Sequence, residues 1–456
     1  MDFKQETEKH KPTELKTMEE TDVKLTESQA KADEIINRGD NIFLTGEAGT
    51  GKSWLVERAV RGLGAEGKRV NLLAPTGIAA CNIGGQTIHS RFRLPPDIER
   101  AVDYLPHINR RAVRSPNVIV LDEVSMIPAH MLDGLEMAFR EFREDSRPWG
   151  GCQVIAVGDF FQLPPIGKGY KFAFQAECWG EFNPVSLREV VRQDEADFKR
   201  ALESVRMGRL GKDKASQKLL GQCVENRNDD QIFLAGKRKK VDDLNETAFE
   251  ELPGEPKLYV ARNSGEEKFL KACLIPNELQ VKMGMRVMNL LNNAARGLVN
   301  GNLGTVVDWS EDDFPVVQWD NIGTLVMRPE YKDVTSGNET VPVKWSVDIG
   351  AYIDDRGNEY PGCSDDETVV RPKVVASRKQ VPICQANALT IHKSQGLTFN
   401  NVYVDCSNFF VKGHPYVALS RATSLEGLGI SKIPKDFVDG MVVRYQRILN
   451  GEALPV

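Results

Sequence analysis

The chain has 456 residues, of which 41% are hydrophobic and 27% are charged, and its formal net charge is −6. This length exceeds what one hydrophobic core usually spans, so we expect two or more domains, and the composition excludes a disordered or fibrous protein. A net negative charge gives no overall electrostatic signature of a nucleic-acid binder, so any such site must be a local groove.

Residues 1–24 alternate Lys with Asp and Glu and are low in aromatic residues. We expect a flexible tail here, because such a segment buries little apolar surface. The pattern fits neither a signal sequence nor a transit peptide, and the chain has no apolar run long enough to span a membrane. We therefore expect a cytoplasmic protein, nucleoid-associated if it is bacterial or viral.

The segment from Gly46 to Ser53 reads GEAGTGKS, a complete G-x-x-x-x-G-K-S phosphate loop. It follows an apolar run at 41–45 and precedes the helix-prone stretch from Trp54 to Val60, which is the strand, loop and helix context that the motif requires. Its glycines let backbone N–H groups approach the β- and γ-phosphates, Lys52 supplies a cation, and Ser53 can bind Mg²⁺. A glycine-rich turn without a nucleotide would usually lack these flanks, so the sequence predicts a nucleoside triphosphate site.

Short apolar strands alternate with helical segments in the first part of the chain, which predicts an α/β fold with a parallel sheet covered by helices. The predicted strands are Ile42 to Thr45, Val70 to Ala74, Val118 to Leu121 and Val154 to Gly158. The charged, proline-containing stretch from Arg91 to Arg114 has the composition of a small insertion in this first lobe.

A second set of elements begins after about Arg188, with a predicted helix from Ala196 to Met207. The Gly- and Asp-punctuated stretch from about Gly304 to Gln380 predicts a small barrel of short antiparallel strands. The strand-and-helix pattern returns at Ala386 to Thr390 and at Asn401 to Asp405. The simplest organisation is a β-rich module inserted in a second α/β lobe.

Two carboxylates, Asp122 and Glu123, follow directly after the apolar strand from Val118 to Leu121. An aspartate at the edge of a central strand can bind Mg²⁺ beside a phosphate loop, and Glu123 can orient or deprotonate the attacking water. The alternative is a solvent-exposed acidic pair at a strand end. Gln162 follows another predicted strand, where its amide can sense the γ-phosphate.

Arg421 lies on a predicted helix near the end of the chain, after the polar segment from Thr390 to Gly396. An arginine from a second lobe can reach the γ-phosphate only when the lobes close, so hydrolysis would depend on domain closure. Arg192 is a second candidate for this role, and its alternative interpretation is a surface arginine at a helix end.

Four phenylalanines next to these motifs could stack on nucleic-acid bases: Phe160, Phe161, Phe409 and Phe410. Paired phenylalanines beside a β-strand are more often part of a hydrophobic core. We therefore predict core positions for all four.

Eight segments resemble, in order, the motif set of superfamily 1B helicases, and most of all the petite-integration-frequency (PIF) family of DNA helicases. These segments are residues 46–53, 74–80, 85–90, 121–126, 158–165, 192–193, 390–396 and 418–422. The stretch from Val124 to Arg140 also resembles that family's signature segment. The resemblance extends from about Leu25 to Gly427, and residues before Leu25 have no counterpart in it.

The resemblance implies a fold of two RecA-like parallel-sheet lobes with one insertion in each. The first lobe would comprise residues 25–90 and 115–185, with a strand-splitting wedge at 91–114. The second would comprise residues 186–303 and 381–456, with an SH3-like β-barrel at 304–380. The wedge departs from the family pattern because Phe92 and Tyr104 are its only aromatic residues.

The resemblance also implies the activity, an ATP-dependent 5′-to-3′ DNA helicase that needs ATP and Mg²⁺. Such an enzyme moves on single-stranded DNA and unwinds forked or structured DNA. Two alternatives stay open: a DNA-stimulated ATPase switch or loader that does not unwind, and an RNA helicase. We expect a monomer with no membrane partner, and the sequence identifies no protein partner.

Residue roles follow from the resemblance position by position. It implies nucleotide contacts for Gln29, Gly46, Ala48, Gly49, Thr50, Gly51, Lys52, Ser53 and Gly396, with Ser53 and Asp122 as the Mg²⁺ ligands. It implies catalytic roles for Lys52, Asp122, Glu123, Gln162, Arg192 and Arg421. It implies contacts with the nucleic-acid strand for Thr76, His89, Thr390, His392 and Lys393.

Overall fold

The computed structural model describes residues 25–452, except 48, 95–99, 168, 189–195, 229, 271–272, 274, 321, 347–350 and 354–367. The tail expected at residues 1–24 lies outside the described residues, as do Ala48 and Arg192. The described chain forms two α/β lobes and a β-rich module inserted in the second lobe.

The first lobe is built on a parallel sheet. Its strands, β1 to β6, are Ile42–Gly46, Val70–Ala74, Gln86–Thr87, Val118–Leu121, Gln153–Val157 and Asn183–Leu187. They pair in the order β3-β2-β4-β5-β1-β6, and every pairing is parallel. β1, β4 and β5 are buried along their whole length, as expected where both faces of a parallel sheet are covered. The four predicted strands are confirmed.

Helices cover both faces of this sheet. Helices α1 to α6 are Glu27–Arg38, Lys52–Ala65, Gly77–Asn82, Ile88–Phe92, Arg110–Arg114 and Ala129–Arg143. Successive side chains of β1 point to opposite faces: Ile42 and Leu44 pack with α1 and α2, whereas Phe43 belongs to the core that contains α6.

The insertion at 91–114 is packed onto α6. Its two aromatic side chains, Phe92 and Tyr104, are both buried. Gly134 of α6 makes this packing possible, because a Cβ atom there would lie 2.5 Å from Cδ2 of Tyr104 and 2.8 Å from the carbonyl oxygen of Ala101. α6, the helix within the predicted signature segment, therefore packs directly against the insertion.

The second half of the chain contains more strands than the first. Strands β7 to β22 are Ile232–Ala235, Lys257–Val260, Arg262–Gly265, Glu278–Val281, Arg286–Asn289, Leu303–Trp309, Pro315–Trp319, Gly323–Val326, Glu330–Pro342, Lys344–Ser346, Ala351–Ile353, Thr368–Gln380, Ile383–Gln385, Ala388–Thr390, Val402–Val404 and Leu428–Ile430. Helices α7 to α12 are Ala196–Arg206, Lys214–Gly221, Arg238–Glu251, Glu267–Leu270, His414–Leu419 and Gly440–Leu449.

The second lobe has its own parallel sheet, in the order β20-β7-β21-β22. The chain leaves this sheet after β7 and α9 and returns at β20, so the β-rich module lies between consecutive parts of one lobe. In the part of the chain that the structure describes, no helix combines the length and hydropathy of a membrane span.

The β-rich module begins earlier than the stretch from Gly304 to Gln380 that the sequence indicated. Its antiparallel sheet has the order β14-β13-β12-β11-β19, and side chains of β10 and β11 share one core with Val306, Trp319 and Ile383. β8, β10 and β11 have four residues each and begin with Lys, Glu or Arg, so they lack the continuous apolar run that identifies a short buried strand.

The C-terminal helix α12 packs against the first lobe through one aromatic side chain. The ring of Tyr445 is stacked on that of Phe174, with centroids 4.3 Å apart. The hydroxyl of Tyr445 accepts a hydrogen bond of 2.8 Å from Nε1 of Trp179. Phe160 also packs edge-to-face on Tyr445. These contacts join α12 to the first lobe.

Candidate nucleotide and nucleic-acid site

The phosphate loop connects the carboxyl end of β1 to the N-terminus of α2. Gly49 and Gly51 have φ values of 85° and 81°, a left-handed conformation that glycine adopts without steric cost. Nζ of Lys52 donates hydrogen bonds of 2.9 Å to the carbonyl oxygens of Gly46 and Glu47. The ammonium group is thus held inside the loop, and the side chain of Ser53 is exposed at the first turn of α2.

Lys52 is surrounded by charged groups. Burial lowers the pKa of Lys52, while the charges of Asp159 and Glu123 act in the opposite direction. Arg206, from the second lobe, adds to the lowering of this pKa. A buried ammonium with a nearby arginine favours a bound anion, because an anion stabilises both positive charges.

Gln29 lies next to the loop. Its Oε1 accepts a hydrogen bond of 3.1 Å from the backbone N–H of Thr26, which is half of the capping box that starts α1. A Cβ at Gly51 would lie 3.2 Å from Nε2 of Gln29. The amide of Gln29, for which the resemblance implies a nucleotide contact, is therefore adjacent to the phosphate loop, and its orientation is fixed by the helix cap.

Asp122 and Glu123 directly follow β4, which lies two strands from the loop-bearing β1 in the sheet order. The backbone N–H of Asp122 donates to the carbonyl oxygen of Leu73 at 2.9 Å, and Glu123 has a left-handed φ of 49°. Burial raises the pKa of both carboxyls, and the charge of Lys52 opposes this rise in both. The turn therefore places two partly buried carboxylates beside a cation.

Gln162 and Asp159 follow β5, the strand between β4 and β1. Asp159 is fully buried and Gln162 nearly so. Oδ1 of Asp159 accepts a hydrogen bond of 3.1 Å from the backbone N–H of Phe161, and the N–H of Gln162 donates to the carbonyl oxygen of Asp159 at 2.9 Å. These bonds fold the segment back and place Gln162 at the same sheet edge as the acidic pair.

Arg421 reaches this site from the second lobe. It follows α11, which ends at Leu419, so the prediction that this arginine lies on the helix is wrong by two residues. Its guanidinium donates to the carbonyl oxygens of Val417 at 2.8 Å and Leu397 at 2.9 Å. The charge of Arg421 lowers the pKa of Glu123, so the two groups are within electrostatic reach across the cleft.

Two of the residues predicted to contact nucleic acid, Thr76 and His89, line a cavity of about 890 Å³ on the first lobe. Arg100 and Tyr104 of the insertion line the same cavity, as does His130 of α6. Oγ1 of Thr76 also accepts a hydrogen bond of 3.2 Å from the N–H of Ala79, at the start of α3. The cavity thus connects two predicted strand-contacting segments with the insertion.

The other three residues of that set lie together on the second lobe. Oγ1 of Thr390 accepts a hydrogen bond of 3.2 Å from the N–H of Lys393, whose side chain is exposed. The imidazole of His392 is stacked near the ring of Phe410, with centroids 6.4 Å apart. Phe410 is 56% exposed, so its prediction as a core residue is wrong.

Gly396, predicted to contact the nucleotide, lies close to α3 of the first lobe. A Cβ at Gly396 would be 3.1 Å from Nδ2 of Asn82. Asn82 also accepts a hydrogen bond of 3.1 Å from Asn300 of the second half of the chain. The structure therefore places Gly396 at a contact between the two lobes.

A sequence profile described as PIF1-like helicase matches residues 24–215. The chain is 33% identical over 449 residues to the ATP-dependent DNA helicase Pif1 of Bdellovibrio bacteriovorus, which covers 94% of this chain and 93% of that protein. This chain belongs to the PIF1-like helicase family.

Other relatives of the family are longer than this chain. The ATP-dependent DNA helicase PIF1 of Emericella nidulans is 33% identical over 462 residues, which are 91% of this chain and 62% of that protein. The fold agrees with a solved structure of Pif1 helicase from Bacteroides in complex with ADP-AlF3 and ssDNA, at a TM-score of 0.64 and 28% identity over 95% of this chain and 99% of that one. The two α/β lobes are accordingly RecA-like.

In this PIF1-like chain, the structure gathers most of the predicted nucleotide residues at one edge of the first sheet. Sequence reasoning assigned no role to Arg206 or Asp159, which form a buried ion pair at that edge. Asp159 lies within a recognised motif and could have been found there. Arg206 gave no signal, because a charged residue at a helix end is ordinary in sequence.

Proposed function

We propose that this chain is an ATP-driven DNA helicase that moves 5′ to 3′ along single-stranded DNA and unwinds forked or structured DNA. The observation that carries the proposal is the meeting of the first-lobe phosphate loop and acidic pair with Arg421, whose charge reaches Glu123 from the second lobe. Membership of the PIF1-like family and the names of the DNA helicase relatives support the choice of reaction and of track.

Ser53 and Asp122 fit the requirements of Mg²⁺. A hydroxyl and a carboxylate are the hard oxygen ligands that this ion takes beside phosphates. Burial raises the pKa of Asp122, so this carboxylate gains from a nearby positive charge. Ser53 and Asp122 would hold the ion, which when bound neutralises charge on the β- and γ-phosphates.

The protein groups divide the remaining chemistry of hydrolysis. Glu123 accepts a proton from the attacking water, and its raised pKa makes it a stronger base than an exposed glutamate. Lys52 binds the phosphates, and Gln162 senses the γ-phosphate. Arg421 stabilises the charge that develops in the transition state, and we assign Arg192 to the same task.

Each lobe offers separate groups to the nucleic-acid strand. Thr76 and His89 lie on the first lobe, and Thr390, His392 and Lys393 lie on the second. The exposed ring of Phe410 beside His392 adds a surface on which a base can stack, and such stacking tolerates any sequence. Opening and closing of the cleft would change the distance between these two sets, which turns hydrolysis into movement along the strand.

A DNA-stimulated ATPase switch without unwinding is the second candidate function. It is favoured by the burial of Phe92 and Tyr104, which leaves the proposed wedge at 91–114 without an exposed aromatic ring to insert between base pairs.

We also propose that the β-rich module is the SH3-like subdomain. We further propose that the chain acts as a monomer in a cytosol-like compartment.

A strand-displacement assay tests the proposal. Duplexes with a 5′ tail or a 3′ tail are incubated with the protein, with ATP or a non-hydrolysable analogue, and the Lys52→Ala variant is the control. We expect ATP-dependent displacement from the 5′-tailed duplex alone. ATPase activity stimulated by single-stranded DNA without displacement would identify the switch, and stronger stimulation by a matched RNA would identify an RNA helicase.

A further inference from the structure

A buried ion pair joins the two lobes beside the phosphate loop. Asp159 follows β5 of the first lobe and is fully buried, and Arg206, the last residue of α7, is 5% exposed. Nη2 of Arg206 donates to Oδ1 of Asp159 at 3.0 Å, and Nε lies 3.4 Å from Oδ2. The guanidinium therefore contacts both carboxylate oxygens, an arrangement that lysine cannot reproduce.

Aromatic rings from both lobes surround the same guanidinium. Its central carbon is 4.1 Å from the ring centroid of Phe161, which lies in the Asp159 to Gln162 segment. It is 5.9 Å from the ring centroid of Tyr416 in α11, the helix that precedes Arg421. Arg206 thus contacts the segment that carries Gln162 on one side and the helix that leads to Arg421 on the other.

The charge of Arg206 extends to the nucleotide site. It lowers the pKa of Lys52 and opposes the burial that raises the pKa of Glu47 in the phosphate loop. Asp159 in turn raises the pKa of Arg206, which therefore stays charged in spite of its burial. A buried ion pair adds little to stability compared with apolar residues of the same size, so its position beside the phosphate loop calls for another explanation.

We propose that Arg206 is a positioning residue for ATP hydrolysis, held by Asp159 so that Gln162 of the first lobe and Arg421 of the second meet the same γ-phosphate. This inference rests on the proposed ATPase function and extends it to a residue outside the recognised motifs. Loss of the pair leaves the phosphate loop intact but allows the Gln162 segment and α11 to move independently. Nucleotide binding is then retained, while the turnover number falls.

The test compares Arg206→Ala, Arg206→Lys, Asp159→Asn and the double variant Arg206→Ala/Asp159→Asn. Steady-state ATPase activity with saturating single-stranded DNA gives kcat and KM, and a fluorescent ATP analogue gives nucleotide affinity. We expect kcat to fall by up to about 10²-fold in Arg206→Ala, the loss typical of misplaced catalytic groups, with little change in nucleotide affinity. Arg206→Lys recovers only part of this loss, because it keeps the charge without the two-point contact.

The double variant measures whether the two residues act as a unit. We expect its loss of kcat to be close to that of either single variant, because coupled residues are not additive. Arg209→Ala, at an exposed arginine three positions after Arg206, is the matched control and keeps the wild-type kcat. Additive losses, or parallel losses of kcat, nucleotide affinity and melting temperature, would show a structural role and overturn the proposal.

The same assay separates this inference from the proposed function. If the wild-type protein shows no ATPase activity with DNA, the proposed function fails. If the wild-type protein is active and Arg206→Ala and Asp159→Asn match it in kcat, only the positioning role fails. Asp159→Asn has nearly the size and shape of the native residue, so it gives a result even if Arg206→Ala does not fold.

Discussion

The nucleotide-facing sides of the two lobes are built differently. On the first lobe, Lys52, Asp122, Glu123 and Asp159 lie at one sheet edge, and the charges of the three carboxylates oppose the lowering of the Lys52 pKa by burial. On the second lobe, Arg421 is buried and its donors are occupied by groups of its own lobe, including the carbonyl oxygens of Val417 and Leu397. Both cations donate to carbonyl oxygens of their own lobe, but only Lys52 belongs to the lobe that carries the carboxylates acting on it.

This difference predicts that nucleotide binding depends on the first lobe and nucleotide hydrolysis on the second. We expect the first lobe to bind a triphosphate by itself, because the phosphate loop, Lys52 and the acidic pair all belong to it. For Arg421 to contact a phosphate it must give up hydrogen bonds to its own lobe, each with a net value of about 1.5 to 3 kcal/mol for a charged group. A phosphate offsets that loss only when the cleft is closed, so the second lobe should control the rate of hydrolysis and not the affinity for ATP.

The largest effect is expected from Lys52→Ala. This change removes the ammonium that lies in the phosphate loop, so both nucleotide binding and turnover should be lost. Phosphate release and titration with a fluorescent ATP analogue measure the two quantities. Lys31→Ala, at an exposed lysine of α1, is the control with unchanged activity, and wild-type turnover in Lys52→Ala would contradict the site.

Lys52→Ala is expected to abolish both nucleotide binding and turnover, whereas Arg421→Ala should reduce turnover alone. We expect turnover to fall by about 10³-fold or more, the usual contribution of an arginine finger, while ATP affinity stays within a few-fold of wild type. The same two assays apply, with circular dichroism melting to verify that the second lobe is folded. An equal loss of affinity and turnover would mean that both lobes bind the nucleotide from the start.

Phe410→Ala tests the nucleic-acid side of the comparison. Loss of one stacking surface should weaken binding of single-stranded DNA by about 1 to 3 kcal/mol, measured by fluorescence anisotropy, with basal ATPase activity without DNA unchanged. Trp345 of β16 is also an exposed aromatic residue, and Trp345→Ala is the matched control. Equal affinities of the two variants would exclude Phe410 from the DNA-binding surface.

The last predicted effect, that of His414→Gln, is on acid stability. Burial lowers the pKa of His414 to about 3, and neither ring nitrogen has a hydrogen-bond partner among the described residues. The imidazole of His414 therefore binds a proton near pH 6.5 in the unfolded chain but stays neutral at that pH in the folded chain. Its contribution to the free energy of unfolding is complete above that pH and decreases as the pH falls. The slope is at most about 1.4 kcal/mol per pH unit.

Denaturant unfolding between pH 7 and pH 4 measures this slope. His414→Gln should flatten it, whereas His107→Gln, at an exposed histidine of the first lobe, should leave it unchanged. An identical pH dependence in wild type and His414→Gln would show that the imidazole is protonated or solvated in the folded protein.

Local sequence predicted the first lobe better than the second. The geometry of the phosphate loop and of the acidic pair depends on residues that are near them in the sequence. Their strands and turns could therefore be predicted. Phe160 and Phe161 are buried as predicted. Phe410 has the same sequence context, yet it is exposed, because burial of an aromatic side chain depends on which distant elements pack against it.

Arg206 and the start of the β-rich module were missed for the same reason. The partner of Arg206 lies 47 positions away, and nothing in the pattern of α7 indicates that its last residue is buried against another lobe. β10 becomes recognisable as a strand only when it is paired with β8, and β11 only when β12 and β19 are next to it in the folded sheet.

Gly134 has a mechanical consequence. Through the close approach of Tyr104 that it permits, the insertion rests on α6, and α6 begins at Ala129, shortly after Glu123. If the insertion is the proposed wedge, a duplex that pushes against it would exert force on the same continuous stretch of backbone that holds the two carboxylates. Under that proposal, a force that opposes the movement of the protein would be transmitted to Glu123, the residue proposed to activate the water.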